Sequence, residues 1–351
     1  MVVKKDTLII LHILKKLPDL SVYSLNLTLI NQVVMSKKIT RRKFIADTGK
    51  ATAAVAGTVA LQGMTFPSIL DPEADIAVVN GSDYFKSTLK AIDLLGGMGK
   101  FVNEGAHVGL LINSDFDVEG AYVDPDISIA AIKMLWDAGA TKITCLQVVK
   151  EEYWQRSNLY EEYKDLISKL DQVESNTFPS EYNETDFIKL KNVPAWKSLK
   201  ETEVVRSWLE CDVFVNIPVS KHHATTQLTC ALKNIMGVST RQANVTFHLG
   251  SGERNNPDYL AQCIVDQYMM KKTDLCIIDS TNFITDNGPS GPGTIKTLNK
   301  VIAGTDVVAL DAMTSEFLDL YPEDVYTTVK AHESGIGDMD YQKLKIVEVN
   351  V

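Results

Sequence analysis

The stretch at residues 213–237, VFVNIPVSKHHATTQLTCALKNIMG, places the strongest constraint on what this chain can fold into. It begins with a short apolar run, Val213–Ile217, whose β-branched and aromatic side chains are typical of a buried strand. Pro218 has no amide hydrogen to donate to a neighbouring strand, so we expect the strand to end there. A polar cluster that includes Lys221 and His223 follows. This order predicts a buried strand whose carboxyl end leads directly into a group of ionisable side chains.

A helix is predicted to follow the polar cluster. Thr225 or Thr226 can serve as its N-cap, and the apolar pattern carries it to about Met236. On such a helix, Thr225, Thr229 and Lys233 recur at every fourth position and share one face. In an open α/β sheet, ligands bind at the carboxyl ends of strands, and the amino end of a helix favours anions. The stretch is therefore predicted to bind an anion, although the same side chains on a surface loop would merely cap nearby carbonyl groups.

Apolar runs and helical periodicity alternate along the rest of the chain, which is the rhythm of βαβ units. This alternation predicts an α/β fold with a mostly parallel β-sheet flanked by helices, in a single domain covering residues 65–351. Residues from about 151 to 200 are polar and are predicted to form a helix and an irregular insertion that could act as a lid. The predicted strands include residues 76–79, 108–113, 143–149, 275–279 and 344–349, and the predicted helices include residues 127–137, 199–209, 257–270 and 306–320.

The first 64 residues differ in character from the rest. Residues 1–34 are predicted to be a disordered or non-native extension, and Met35 is the better candidate for the start. A basic segment, TRRKFI at residues 40–45, then precedes a mild apolar run, so residues 35–64 resemble a twin-arginine export signal. We therefore expect a periplasmic or otherwise exported protein that engages the twin-arginine export machinery and keeps no stable membrane span after cleavage. The alternative is a basic, disordered N-terminus on a cytoplasmic protein.

The charge and the cysteine positions exclude several classes of function. The net charge is −10, and basic residues are concentrated in the first 64 positions, so the body of the chain is acidic. An acidic body argues against nucleic-acid binding and against anionic membranes, but allows a local cationic pocket. The five cysteines are too far apart in sequence for a zinc ribbon or an iron–sulfur cluster motif. We expect most of them to be small buried side chains, with one disulfide possible.

Two histidines and a carboxylate raise the possibility of a divalent metal. His248 lies in a predicted loop and Asp279 ends a predicted strand, and together with His223 they would suit such an ion. Their spacing is long and follows no known pattern, so a hydrogen-bonded loop histidine and a turn-capping aspartate are the alternatives. The loop at residues 288–293 is rich in Gly and Pro but lacks the G-K-[ST] of a P-loop, and is predicted to form a rigid wall.

Three segments together resemble one protein family. They are K-x-H, TT and LKNIMG within residues 221–237, IID at residues 277–279 with Gly288-Pro289 downstream, and AGTDVVALDA at residues 303–312. These segments are similar to the "domain of unknown function 362" family over roughly residues 105–312. The resemblance implies a fold and no established reaction. Family members usually carry Lys-Pro-Asn where this chain has Leu111-Ile112-Asn113, which implies weaker or different anion binding, and the ferredoxin-type cysteine clusters of some members are absent here.

The sequence thus predicts an exported enzyme that acts on a small anionic metabolite. Lys221 and His223 are its predicted catalytic residues, with lysines holding the anion and His223 transferring a proton. Two alternatives stay open: a non-catalytic periplasmic protein that binds a metabolite or a metal, and a metal-dependent hydrolase or isomerase. The predicted substrate-binding residues are Asn113, Thr225, Lys233 and Asn234, and the predicted metal ligands are His223, His248 and Asp279.

Overall fold

A mixed β-sheet of eight strands organises the part of the chain that the structure describes. The computed structural model describes residues 73–175 and 184–351, and the predicted export signal and the extension before it lie outside these residues. None of the helices within the two ranges is long and apolar enough to cross a membrane. The strands are β1 (Ile76–Asn80), β2 (His107–Ile112), β3 (Lys142–Cys145), β4 (Asp171–Gln172), β5 (Phe187–Lys191), β6 (Glu201–Val205), β7 (Val213–Ile217), β8 (Lys221–His223), β9 (Gln227–Thr229), β10 (Leu275–Ile284), β11 (Ile295–Gly304) and β12 (Ile346–Asn350). The α-helices are α1 (Tyr84–Leu94), α2 (Pro125–Asp137), α3 (Glu151–Trp154), α4 (Tyr160–Ile167), α5 (Arg206–Glu210), α6 (Ala231–Asn234), α7 (Arg241–Leu249), α8 (Pro257–Tyr268), α9 (Val307–Ser315) and α10 (Tyr326–Glu333).

The eight-stranded sheet has the order β12-β1-β11-β10-β7-β2-β3-β4. Neighbouring strands are parallel except where β11 takes part, because β11 runs antiparallel to both β1 and β10. The predicted α/β fold with a mostly parallel sheet is therefore confirmed. The strands β5 and β6 form a separate antiparallel pair, as do β8 and β9.

Hydrophobic side chains cover both faces of the sheet. Within β7, Phe214 belongs to one buried cluster, whereas Val213 and Val215 belong to the other, because successive side chains of a strand point to opposite faces. Helices α6, α8, α9 and α10 contribute to the first cluster, and α1, α2 and α3 contribute to the second. Burial on both faces explains why central strands such as β2 and β7 are continuous apolar runs. These two strands end side by side, with Ile112 opposite Ile217.

The predicted helix over residues 225–236 is wrong in its first half. The hairpin of β8 and β9 takes its place, and the helix α6 begins only after that hairpin. The Nδ1 atom of His223 accepts hydrogen bonds from the backbone N–H groups of Thr225 and Thr226, each at 3.1 Å. Gln227 then adopts a φ of +64°, a left-handed conformation that a right-handed helix does not contain. A side chain that bonds to the nearby backbone thus replaces the first helical turn with a tight hairpin.

Three other predicted elements need correction. The predicted helix at residues 199–209 is the strand β6 followed by the short helix α5, and β6 pairs with β5. The predicted insertion at about 151–200 contains α3, α4 and β4, and β4 adds an edge strand to the main sheet. The predicted strand at residues 275–279 extends to Ile284 and pairs with β11, which the sequence analysis did not predict. The pairs β5–β6 and β10–β11 join consecutive strands, and β4 pairs with β3 across a longer stretch of chain. In each case the strand is defined by its pairing, which local periodicity does not record.

The cysteines behave as small buried side chains, as predicted for most of them. All five are buried and free, so the single disulfide that the sequence allowed is not formed between them. Burial raises the pKa of Cys145 to about 12, so its thiol stays protonated and unreactive at neutral pH.

Candidate functional site

A cavity of about 640 Å³ opens where the parallel strands β2 and β7 end. Its walls come from the residues after β2, from the hairpin of β8 and β9, from α6 and the 3₁₀ turn that follows it, and from α7. Seven of the eight predicted site residues line this cavity, and the eighth, Asp279, does not. The seven are Asn113, Lys221, His223, Thr225, Lys233, Asn234 and His248.

Lys221 is fully buried on β8, at the inner end of the cavity. Its Nζ donates hydrogen bonds to the backbone carbonyl of Ala121 and, at 3.4 Å, to the side-chain oxygen of Asn113. It also lies 4.1 Å from the centroid of the Phe116 ring. Burial, together with the nearby charge of Lys233, holds the pKa of Lys221 well below its ordinary value. This amine is therefore fixed in place by neutral partners, none of which is a carboxylate.

A chain of hydrogen bonds through three asparagine side chains connects Lys221 to the strands β2 and β7. The Nδ2 of Asn113 donates to Asn234 at 3.1 Å, and the Nδ2 of Asn234 donates to Asn216 at 2.7 Å. Asn216 in turn donates to the backbone carbonyl of Ala231 at 2.9 Å. Because every amide donates in the same direction, the oxygen of Asn113 is left to accept the hydrogen bond from Lys221. Asn216 was missed by the sequence analysis, although a polar residue inside the apolar run of β7 was the available signal.

His223 is held as a neutral ring with one fixed tautomer. Its Nδ1 already accepts the two backbone hydrogen bonds that close the hairpin, so the proton of the neutral ring lies on Nε2. Burial and the nearby charge of Lys233 lower the pKa of His223 to about 2. The geometry therefore favours His223 as a hydrogen-bond donor through Nε2, rather than as the proton-accepting base that the sequence suggested.

Lys233 extends from α6 into the cavity without a partner. In the described part of the chain, no hydrogen bond or ion pair joins its ammonium group to another residue. Burial lowers the pKa of Lys233 to about 8. Its charge also contributes to the lowered pKa values of Lys221, His223 and His248, whose largest cause is burial in each case. Lys233 is thus the charged group that these three side chains share.

Helix α7 forms the outer wall and was not predicted. Arg241, Asn244, Val245 and His248 line the cavity, and their spacing of three or four positions places them on one face of the helix. The side chain of Thr240 caps the helix by accepting a hydrogen bond from the N–H of Ala243. That N-cap, followed by residues at helical spacing, was the sequence signal for this element.

His248 lies on this helix rather than in the predicted loop. Its Nδ1 is 2.9 Å from the side-chain oxygen of Asn255, and the ring is half-buried. Burial, followed by the charge of Lys233, lowers the pKa of His248. The residue therefore adds a second neutral imidazole to the outer part of the cavity.

Two buried polar atoms in the cavity wall lack partners. Within the described residues, the hydroxyl of Thr229 and the side-chain oxygen of Asn244 accept and donate no hydrogen bond. Buried polar groups are nearly always satisfied, so two unpartnered atoms in residues that line one cavity mark a polar part of its wall. The charged side chains in the lining are mostly cationic, because the sole carboxylate among the described lining residues is the exposed Asp115. The cationic side chains in the lining are Lys221, Lys233, Arg241 and Arg254.

The Gly/Pro-rich loop lies directly against the hairpin at the cavity mouth, and Pro289 lines the cavity. The N–H of Gly288 donates to Nδ1 of His222 at 3.0 Å, and the carbonyl of Gly288 accepts from Ala224 at 3.2 Å. A Cβ atom at position 288 would lie 1.8 Å from the backbone oxygen of His222, so only glycine fits this contact. The loop therefore forms the close-packed wall that its composition predicted.

The predicted metal set is not brought together, because Asp279 is not among the residues that line the cavity. One of its carboxylate oxygens accepts from the backbone N–H of Asp124 at 2.6 Å, and the other accepts from the N–H and hydroxyl of Thr281. The carboxylate is thus bonded to backbone and hydroxyl donors within the strand β10. Within residues 73–175 and 184–351, no three His, Cys, Asp or Glu side chains are grouped so that they could hold a metal ion.

Comparison with known proteins gives a family and two distant structural likenesses. Residues 110–316 match the family described as "Domain of unknown function (DUF362)". A thylakoid-associated protein of Synechocystis sp. is 23% identical over 251 residues, which cover 70% of this chain and 73% of that protein. The lactate racemase apoprotein of Thermoanaerobacterium thermosaccharolyticum is similar with a TM-score of 0.43 and 13% identity, over 69% of this chain and 56% of that one. A structural-genomics target from Thermotoga maritima is similar with a TM-score of 0.37 and 10% identity, over 71% of this chain and 58% of that one. This chain therefore spans little more than half the length of either structure.

Proposed function

The chain belongs to the DUF362 family, and since that name specifies no reaction, we propose from the site itself that the protein is an enzyme acting on a small organic anion. The observation that carries this proposal is the convergence of Lys221, Lys233 and the neutral His223 on one cavity. Side chains whose pKa values are strongly lowered by burial cluster at functional sites, because acid–base chemistry near neutral pH requires such values.

The side chains that line the cavity indicate which kind of ligand would fit it. An anionic group is attracted by the excess of cationic side chains, although the body of the chain is acidic. The orphaned atoms of Thr229 and Asn244 favour a ligand that also carries a hydroxyl or a carbonyl group. Nε2–H of His223 is placed to donate to that oxygen. A small hydroxy or oxo acid meets all three requirements.

In this proposal the lysine pair supplies the proton transfer. The pKa of about 8 leaves Lys233 able to exchange a proton near neutral pH, and Lys221 has a lowered pKa as well. His223 keeps its own proton and polarises the substrate oxygen as a neutral donor, an arrangement that a histidine of very low pKa permits. A bound anion would raise the pKa of both lysines, so binding should be accompanied by uptake of protons.

The test measures binding and proton exchange separately. Thermal unfolding is followed with lactate, pyruvate, malate and phosphate, and each organic acid is then incubated with the protein in D₂O while proton NMR follows the C–H next to the carboxylate in lactate and malate, or the methyl C–H next to the carbonyl in pyruvate. We expect an organic acid to stabilise the protein, by about 2.7 kcal/mol at 100 times its Kd, and to exchange that hydrogen. Lys221→Met and Lys233→Met should lose both effects, whereas Lys133→Met, which removes an outward-facing ion pair with Asp137, should keep them. Stabilisation by none of these acids would contradict the proposal.

A non-catalytic binding protein is the second candidate. It is favoured by the absence of a buried carboxylate among the described lining residues, since such a group is the commonest partner of a catalytic lysine or histidine. Stabilisation by an acid without any hydrogen exchange would support this alternative over the enzyme.

We also propose, from the sequence alone, that the protein is exported by the twin-arginine route. The support is the pair Arg41-Arg42 ahead of a mild apolar run. Fractionation of cells that produce the full chain should find it outside the cytoplasm, and Arg41→Lys with Arg42→Lys should retain it inside. The matched control is Lys37→Arg with Lys38→Arg, which keeps the charge and leaves the pair intact. Cytoplasmic retention of the unaltered chain would overturn this proposal.

A further inference from the structure

Lys233 differs from Lys221 in its freedom to react. Lys221 is fully buried and its Nζ is tied to the carbonyl of Ala121 and to Asn113, beneath the ring of Phe116. Lys233 lines the same cavity, and no residue in the described ranges forms a hydrogen bond or an ion pair with its Nζ. A reactive amine must be reachable by the ligand and free to move towards it, and of these two lysines only Lys233 is neither fully buried nor held by hydrogen bonds within the described residues.

We propose that the amine of Lys233 forms an imine with a small 2-oxo carboxylic acid bound in the cavity. The inference rests on the proposed function and deepens it, because it names the substrate class and gives Lys233 a covalent role. Lysine becomes a nucleophile when it is removed from water, and Lys233 meets this condition because burial in the cavity wall lowers the pKa of its amine. With a pKa of about 8 instead of 10.5, Lys233 presents roughly 300 times more free amine at pH 7 than an ordinary lysine.

The remaining lining residues match the parts of a 2-oxo acid. Its carboxylate fits the cationic part of the lining, which includes Arg241 and Arg254, and the sole carboxylate among the described lining residues is Asp115. The carbonyl oxygen fits the Nε2–H of His223, a neutral donor that stays protonated on that atom at every pH above about 2. Thr229, whose hydroxyl has no partner within the described residues, lies in the same cavity wall.

The covalent step needs no oxidant and no further reactant. The lone pair of Lys233 Nζ attacks the carbonyl carbon, and a carbon–nitrogen bond forms as the π electrons move to the oxygen. The oxygen then leaves as water and carries away the two hydrogens that began on the amine, so one water is released for each imine formed. The imine withdraws electrons from the neighbouring carbon and makes its C–H more acidic. Lys221 is then the amine in the cavity that can accept that proton.

Reductive trapping tests the inference. The full chain is incubated with pyruvate and cyanoborohydride, and intact and peptide mass spectra are recorded. We expect one adduct per chain, with the mass of pyruvic acid less one oxygen atom, on the peptide that contains Lys233. Lys233→Arg should lose this adduct, while Lys133→Arg, which alters an outward-facing lysine on α2, should keep it. Thermal unfolding of both variants verifies that they are folded, and labelling should rise as the pH increases through about 8.

Lactate separates failure of this inference from failure of the proposed function. Lactate has the carboxylate and an oxygen at the same position, but it has no carbonyl carbon that an amine can attack. Stabilisation by lactate without a pyruvate adduct would overturn the imine and leave the proposed function standing. An adduct that spreads over exposed lysines and persists in Lys233→Arg would also overturn it. If neither acid binds, the imine and the proposed function both fail.

Discussion

Buried carboxylates and buried cations are treated in opposite ways in this protein. The carboxylates of Asp266, Asp279 and Asp311 each accept hydrogen bonds from backbone N–H groups. Asp311, for example, accepts from Ala231 at 2.7 Å and from Leu232 at 3.1 Å, and so caps α6 from another element. No comparable set of acceptors surrounds Lys233 in the described part of the chain.

The difference separates structural from functional use of buried polar groups. A buried carboxylate that backbone N–H groups satisfy fixes two segments to one another and does not depend on a ligand for its hydrogen bonds. An amine that stays unsatisfied lowers stability, and a fold keeps such a group where a ligand supplies the missing partner. On this reasoning Asp279, which lies within β10 next to β7, belongs to the architecture, and Lys233 belongs to the site.

The largest change in stability is expected when one of the buried carboxylates, Asp311, is removed. Asp311→Ala would leave two buried N–H groups at the start of α6 without acceptors, and each such group reduces stability by about 1–3 kcal/mol. We expect the free energy of unfolding, measured with urea at pH 8, to fall by about 3 kcal/mol. Asp311→Asn keeps one acceptor oxygen and should lose less. A loss within 0.5 kcal/mol, as for a typical surface residue, would show that the carboxylate is not a structural cap.

The sequence predicted the sheet well wherever a strand is apolar on both faces. β1, β2, β7 and the first half of β10 were found because burial on both faces requires continuous apolar runs. β11 was missed because its first half is polar and partly exposed, and because its place is set by pairing with the preceding strand β10 and with the distant strand β1. The helix predicted after Thr225 failed for a different reason, since the ring of His223 ties the backbone into a turn and such a contact has no periodicity.

The second prediction is a gain in stability on removing Lys233, whereas the first is a loss of stability on removing Asp311. The pKa of Lys233 is about 8 in the folded chain and near 10.5 when unfolded, so the unfolded state binds more protons between these values. Below pH 8 the full destabilisation is present, and stability recovers as the pH rises from 8 towards 10. Lys233→Met should therefore raise the free energy of unfolding at pH 7 by about 1–2 kcal/mol, discounted for the partial exposure of the side chain. Lys133→Met is the surface control, and a loss of stability in Lys233→Met would mean that Lys233 is satisfied as the carboxylates are.

The candidate site was found in part because strand ends can be read from the sequence. Asn113 and Lys221 follow the strands β2 and β7, and the sequence placed both correctly. The same rule failed for Asp279, because the strand β10 continues past it to Ile284 and because the sequence does not show which donors surround its carboxylate. Arg241 and Arg254 could not be found in this way, because their elements reach the cavity through tertiary packing.

The smallest predicted change is in how stability depends on pH, which differs between the buried cationic-type group His223 and the buried carboxylate Asp311. The pKa of His223 is lowered from 6.5 to about 2, so acid protonates the unfolded state first, and stability is lost as the pH falls below 6.5. The pKa of Asp311 is raised by burial from 3.8 to about 7, so its contribution to stability rises as the pH falls through 7.

His223→Asn retains an acceptor for the hairpin N–H groups and removes the titration. The difference in unfolding free energy between this variant and the unaltered chain should therefore grow in the variant's favour by about 1 kcal/mol from pH 6.5 to 5.5. Asp311→Asn should shift in the opposite direction. Equal slopes for His223→Asn and the unaltered chain would show that His223 titrates normally, and the imidazole would then be available as a base rather than as a fixed donor.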